Sequence, residues 1–235
     1  MAQGLILTKK LFVPCVTPTK EELIMTNKRQ PYKIERDQIF SSDERKRIMD
    51  TCKARASEDE KAGRKNWIIR YMLVDLAFFS GLRVAEMAAL KIGDIDLKAS
   101  DPYIIVRDGK GGKKRSVFID KELARHVKQF IKWKKNKGEP TDNDSPLFLG
   151  RKGHVPPITL QKSFKKAMEE AGLDHTKHGI HDCRHTYATY LLRDTGNNLA
   201  YVQQQLGHSN REMTYLYTHV LPELNGALAN KIRRD

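Results

Sequence analysis

The sequence predicts an α+β domain, mainly helical, in which one small antiparallel sheet carries a lysine-bearing hairpin. Three observations predict it. Long stretches place apolar residues at helical spacing, short β-like runs are confined to residues 92–119, and the glycine-rich turn Asp108-Gly109-Lys110-Gly111-Gly112 joins the last two of those runs. With 235 residues and 39% hydrophobic content, the chain is long enough to bury a core.

Residues 1–37 hold Pro14, Pro18 and Pro31 among short apolar runs, the pattern of an irregular arm or linker. The compact domain is expected over 38–235. Ser41-Ser42-Asp43-Glu44 is a helix start, because a serine oxygen and a glutamate three residues on can satisfy each other's backbone N–H groups. Ile48, Met49 and Cys52 form the apolar face of that helix, and the charged run Glu58 to Lys65 reads as a surface connection. A strongly apolar helix from Trp67 to Ser80 breaks at Gly81 and resumes through Val84 to Leu90. The β-like runs are Ile92 to Leu97, Tyr103 to Val106 and Ser116 to Ile119. Helical periodicity then returns over Glu122–Lys135, Thr159–Ala171, His181–Arg193 and Leu199–Leu206, with a short piece at Tyr217 and an amphipathic tail from Pro222 to Ile232.

The formal net charge of +14 creates an attractive field for polyanions, which is the sequence-independent part of nucleic-acid binding. No apolar stretch approaches a membrane span and no secretory signal opens the chain, so a cytoplasmic, nucleoid-associated location and no membrane partner are expected. Cys15, Cys52 and Cys183 are odd in number and unpaired in spacing, which points away from a disulfide framework or a cysteine zinc cluster.

Four segments group basic and nucleophilic residues: Gly81-Leu82-Arg83 with Glu86, Gly109-Lys110-Gly111-Gly112-Lys113-Lys114-Arg115, His181-Asp182-Cys183-Arg184-His185, and Leu206-Gly207-His208 followed by Tyr215-Leu216-Tyr217-Thr218-His219. Singly, each has an ordinary explanation: a helix-cap arginine, a solvated hairpin tip, a structural histidine, a core tyrosine. Together, in identity, order and spacing, they resemble the lambda-integrase or tyrosine recombinase family from about Gln38 to the C-terminus.

That resemblance implies the fold of a recombinase catalytic domain and the cutting and rejoining of DNA through a 3′-phosphotyrosine. Arg83, Arg184 and His208 would hold the phosphate, because its nonbridging oxygens gain charge in the transition state and planar guanidinium groups match them. Tyr217 would attack, His181 would take or position its proton, and Lys110 would protonate the departing 5′ oxygen. Lys113, Lys114 and Arg115 would contact DNA phosphates, with Glu86 and His185 supporting the catalytic groups. The implied partners are double-stranded DNA bearing specific recombination sites and three further copies of the chain on that DNA, with a monomer possible without it. No cofactor and no metal are called for, since the covalent intermediate keeps the phosphoester energy. Members of the family usually carry a separate helical core-binding domain ahead of the catalytic one, and residues 1–37 are too short for it.

Three other readings remain. His175, His178, His181, Cys183 and His185 are dense enough to suggest zinc, but Arg184 would set a positive charge beside the metal and no obvious third ligand follows. A type IB topoisomerase shares the chemistry without strand exchange, although the Leu-Gly-His to Tyr-Thr-His pattern argues against it. A DNA-binding regulator with a retired site conflicts with the full set Arg83, Lys110, His181, Arg184, His208 and Tyr217. Tyr215 competes with Tyr217 as nucleophile, and the spacing from His208 favours Tyr217.

Overall fold

The computed structural model describes residues 34–107, 114–207, 214, 216 and 217. The chain divides into Met1–Lys33 and Ile34–Asp235, and the described residues all belong to the second unit. The amphipathic tail expected over 222–232 and the tip of the lysine hairpin lie outside them.

Helix α1, Ser42–Lys61, starts as its capping residues require: the Ser41 hydroxyl accepts the Glu44 N–H at 3.2 Å, and the Glu44 carboxylate accepts the Ser41 N–H at 2.9 Å. Ile48 and Cys52 are fully buried. The expected surface connection over Glu58–Lys65 needs correction, because α1 continues to Lys61 and Asp59 is buried. The Asp59 carboxylate accepts from the Trp67 N–H at 2.8 Å and from Arg64 at 2.7 Å, so an acidic residue of one helix caps the start of the next.

Helix α2, Asn66–Ser80, is buried along most of its second half, from Met72 to Phe78, and forms the axis of the domain. It stops at Gly81, whose φ of +65° is left-handed. The chain turns through Leu82 into the short helix α3, Val84–Ala89. Next comes a three-stranded antiparallel sheet, β1 (Ile95–Asp96), β2 (Tyr103–Val106) and β3 (Arg115–Phe118), in the order β1-β2-β3. Register pairs Ile104 with Val117 and Val106 with Arg115, and the apolar Ile104, Val106 and Val117 face the core. The first of these strands is shorter than the apolar run suggested, because Ile92–Asp94 forms a 3-10 turn with the Asp94 carboxylate accepting the Lys91 N–H.

Helix α4, Lys121–Asn136, is capped by Asp120, and α5, Pro157–Glu170, begins with proline at its first position. A two-residue hairpin, β4 (Leu149–Gly150) with β5 (Gly153–His154), precedes α5 and has too little alternation to be seen in sequence. Helices α6, Ile180–Asp194, and α7, Leu199–Leu206, follow. The main core gathers residues from α1 through the start of α6, while Ile34, Ala188, Leu192, Val202, Leu206 and Tyr217 form a second cluster. In that second cluster Tyr217 and residues of α7 meet α6.

Candidate active site

The site lies where the C-terminal ends of α2 and α7 approach α6. Arg184, in the second turn of α6 and 6% exposed, reaches both ends: one guanidinium nitrogen donates to the Gly81 carbonyl and the other to the Leu206 carbonyl at 2.7 Å. A helix C-terminus presents carbonyl groups with no intrahelical partner and a partial negative charge, so a cation is the natural group to bridge two of them.

The same geometry explains why both turns carry glycine. A Cβ on Gly81 would lie 2.5 Å from Tyr187 Cδ1, and one on Gly207, at φ +64°, would lie 2.6 Å from Arg115 Cδ. The Gly-Leu-Arg and Leu-Gly-His segments are thus two helix stops held together by one arginine.

Arg83 follows the first stop, and its side chain is 33% exposed, leaving an edge open to solvent. Glu86 is the acidic centre of the cluster. Its carboxylate accepts from the Arg83 N–H at 2.8 Å and the Arg83 guanidinium at 2.9 Å, and from both terminal nitrogens of Arg115 at 2.9 and 2.8 Å. Burial alone would raise the Glu86 carboxyl, but the hydrogen bonds from Arg115 and the Arg83 N–H, with the charges of Arg115 and Arg184, outweigh it and hold the group below the usual carboxylate range.

Arg184 feels the opposite pressure. Burial and the neighbouring Arg83 charge pull it down to about 10, only partly offset by Glu86. Three guanidinium groups therefore share one carboxylate among the described residues of this cluster. Such a cluster lacks negative charge, and an incoming oxyanion would supply it.

Tyr217 is 2% exposed, with its hydroxyl 3.1 Å from Nδ1 of His185. His185 is pushed below the ordinary histidine value by burial and by the nearby Arg184 and His181, with Asp182 opposing. That environment favours the neutral ring, which can accept the tyrosine proton. His181 lies one turn earlier on α6 and is exposed. The sequence gives His185 a supporting place and does not reveal its bond to the tyrosine. The signal that could have found it is the four-residue spacing from His181, which sets both imidazoles on one helix face.

Residues 38–223 match the model of the phage integrase family. The chain belongs to the phage integrase family. Tyrosine recombinase XerA of Pyrococcus horikoshii is 35% identical over 153 residues, which is 63% of this chain and 50% of that protein. The crystal structure of XerA recombinase superposes with a TM-score of 0.65 at 29% identity, covering 84% of this chain and 66% of that one. XerH site-specific recombinase, bound to palindromic difH substrate in a post-cleavage complex, superposes at 0.64 with 25% identity, covering 84% and 53%. The chain thus spans about half the length of the curated relative it matches. The mainly helical α+β architecture is that of tyrosine recombinase catalytic domains.

Within this member of the family, the structure brings together Arg83, Glu86, Arg115, Arg184, His185 and Tyr217. Lys110, Lys113, His208 and Tyr215 lie outside the described residues. Lys114, the residue before β3, is exposed. Arg115, expected among the surface phosphate contacts, is instead 11% exposed with its fork occupied by Glu86, and its Nε donates to the Gln205 carbonyl at 3.3 Å. Of the residues in the zinc-like segment, Cys183 is packed in the main core while His185 meets Tyr217 in the second, so they diverge.

Proposed function

We propose that this chain cleaves and rejoins DNA strands at specific sites through a covalent 3′-phosphotyrosine at Tyr217. The observation that carries the reading is the Arg184 bridge, which places a buried guanidinium between the Gly81 and Leu206 carbonyls, beside Arg83 and within electrostatic reach of Tyr217.

The scissile phosphate completes the charge of this cluster, with Arg83 reaching it from the solvent side and Arg184 from beneath. Tyr217 Oη forms a bond to phosphorus as the bond from phosphorus to the 5′ oxygen breaks. The phenol proton passes to an imidazole of α6, His181 in the role its family pattern assigns, and Lys110 gives a proton to the departing oxygen. His208 adds a hydrogen bond to the phosphate. Because the phosphodiester energy is kept in the tyrosine linkage, a 5′ hydroxyl of another strand reverses the step without a nucleotide.

In the described arrangement Tyr217 clusters with Ala188, Leu192 and Val202, so attack requires its hydroxyl to leave that cluster for the phosphate. The partner is double-stranded DNA with recombination sites, bound by four copies of the chain.

The test is a nicked suicide duplex drawn from the DNA adjoining the coding sequence, from which the short downstream fragment carrying the freed 5′ hydroxyl diffuses away. A covalent protein–DNA complex should form with the parent chain and vanish with Tyr217→Phe. A complex that persists in Tyr217→Phe overturns the assignment, and plasmid relaxation without site-dependent joining moves the protein to a topoisomerase.

A further inference from the structure

We infer that Arg115 is a positioning residue that locks the lysine hairpin to the phosphate-binding arginine and to the turn leading to His208. The inference rests on the reading of Lys110 as proton donor.

Arg115 is the first residue of β3 and pairs with Val106 of β2, so it opens the strand that follows the sequence segment 108–113 bearing Lys110. Its side chain makes three connections. Both terminal nitrogens bind the Glu86 carboxylate, which in turn holds Arg83. Its Nε meets the Gln205 carbonyl at the end of α7. Its Cδ, Nε and Cζ lie under Gly207, close enough that a Cβ there would sit 2.6 to 3.0 Å from them.

Gln205 fastens the same strand a second time. Its side-chain oxygen accepts the Phe118 N–H at 3.0 Å, and its nitrogen donates to the Tyr201 hydroxyl at 2.9 Å, with the residue 1% exposed. β3 is thereby clamped to α7 at both ends, Arg115 at one and Phe118 at the other. A planar, five-donor fork can hold a carboxylate on one edge and a carbonyl on another, which an ammonium cannot do at fixed geometry. The hairpin stem, the anchor of Arg83 and the approach to His208 consequently share one rigid group.

Arg115→Lys keeps the charge and removes the fork. If Arg115 acts by aiming Lys110, its loss slows departure of the 5′ oxygen. A substrate with sulfur in place of that bridging oxygen leaves as a thiolate and needs no proton. On the ordinary duplex, Arg115→Lys should cut the rate of covalent complex formation by about 100-fold, the cost of a misplaced catalytic group. The apparent DNA affinity should stay within about twofold, since the fork makes no phosphate contact. On the sulfur-substituted duplex the rate should return to within about threefold of the parent chain's rate on the same duplex.

Lys110→Ala runs alongside. If sulfur restores Lys110→Ala but leaves Arg115→Lys slow, the inference fails while the proton-donor reading stands. If sulfur does not restore Lys110→Ala, it is the proton-donor reading that fails. An unchanged rate of Arg115→Lys on the ordinary duplex also overturns the inference. Should Arg115→Lys lack a melting transition, Glu86→Gln, which keeps the packing and weakens the hold on Arg115, is judged by the same two duplexes.

Discussion

Replacing Gly81 with alanine probes the hinge on which the site turns, and its cost separates into two parts. The first is conformational: φ is +65°, where a residue with a Cβ pays about 1 kcal/mol. The second is steric, because the new methyl would lie 2.5 and 2.7 Å from two atoms of the Tyr187 ring and 3.1 Å from Leu206 Cδ2. Displacing a packed ring and a core leucine costs about 1 to 3 kcal/mol. Gly63 supplies the control, since it has φ +70° but no atom within 4 Å of the place a methyl would take.

Gly63→Ala should therefore lose only the conformational part, about 1 kcal/mol or about 2 to 4 °C in Tm, and Gly81→Ala about 2 to 4 kcal/mol in all. Because the Gly81 carbonyl anchors Arg184, the second variant should also slow covalent trapping on the suicide duplex by about 100-fold. Thermal melting with the trapping assay measures both. Equal Tm losses in the two variants, with trapping unimpaired in Gly81→Ala, would refute the argument that the turn is sterically tied to the site.

Other perturbations test other joints of the structure. Arg184→Lys cannot bridge two carbonyls with one fork, so trapping should fall by about 100-fold or more, and a near-normal rate would show that the bridge does not matter. Asp59→Asn should weaken the junction between α1 and α2 by about 2 kcal/mol, visible in a urea melt as a lower midpoint, since the buried carboxylate serves both Trp67 and Arg64. Glu86 has a folded value below its unfolded one near ~4.3, so its contribution is present above that pH and is lost as pH falls through the lower folded value. Melting between about pH 5 and pH 3 should show a loss that flattens in Glu86→Gln, and parallel curves would remove Glu86 as its source.

How much is legible in advance depends on the range of the interaction. Helix α7 has the ends that its periodicity predicts, Leu199 and Leu206, and α1 starts where Ser41 and Glu44 place it, because periodicity and capping act within a few residues. The end of α1 escapes the sequence for the complementary reason: Asp59 reads as one more surface charge until the fold presents the Trp67 N–H to it. The short hairpin at Leu149–His154 escapes because two-residue strands have no period to detect.

At the site, sequence alone established the inventory of groups and the family chemistry they imply, since motif identity and order survive without coordinates. Tertiary structure decided which partners the described charged groups take. Glu86 and Arg115 are 29 positions apart, and Arg184 and Gly81 are 103 apart, so only the packing of α6 and β3 around the end of α2 could choose those partners. An arginine's letter records five donors and a charge, whereas burial and the nearest carboxylate or carbonyl determine whether those donors meet a phosphate or hold the fold together.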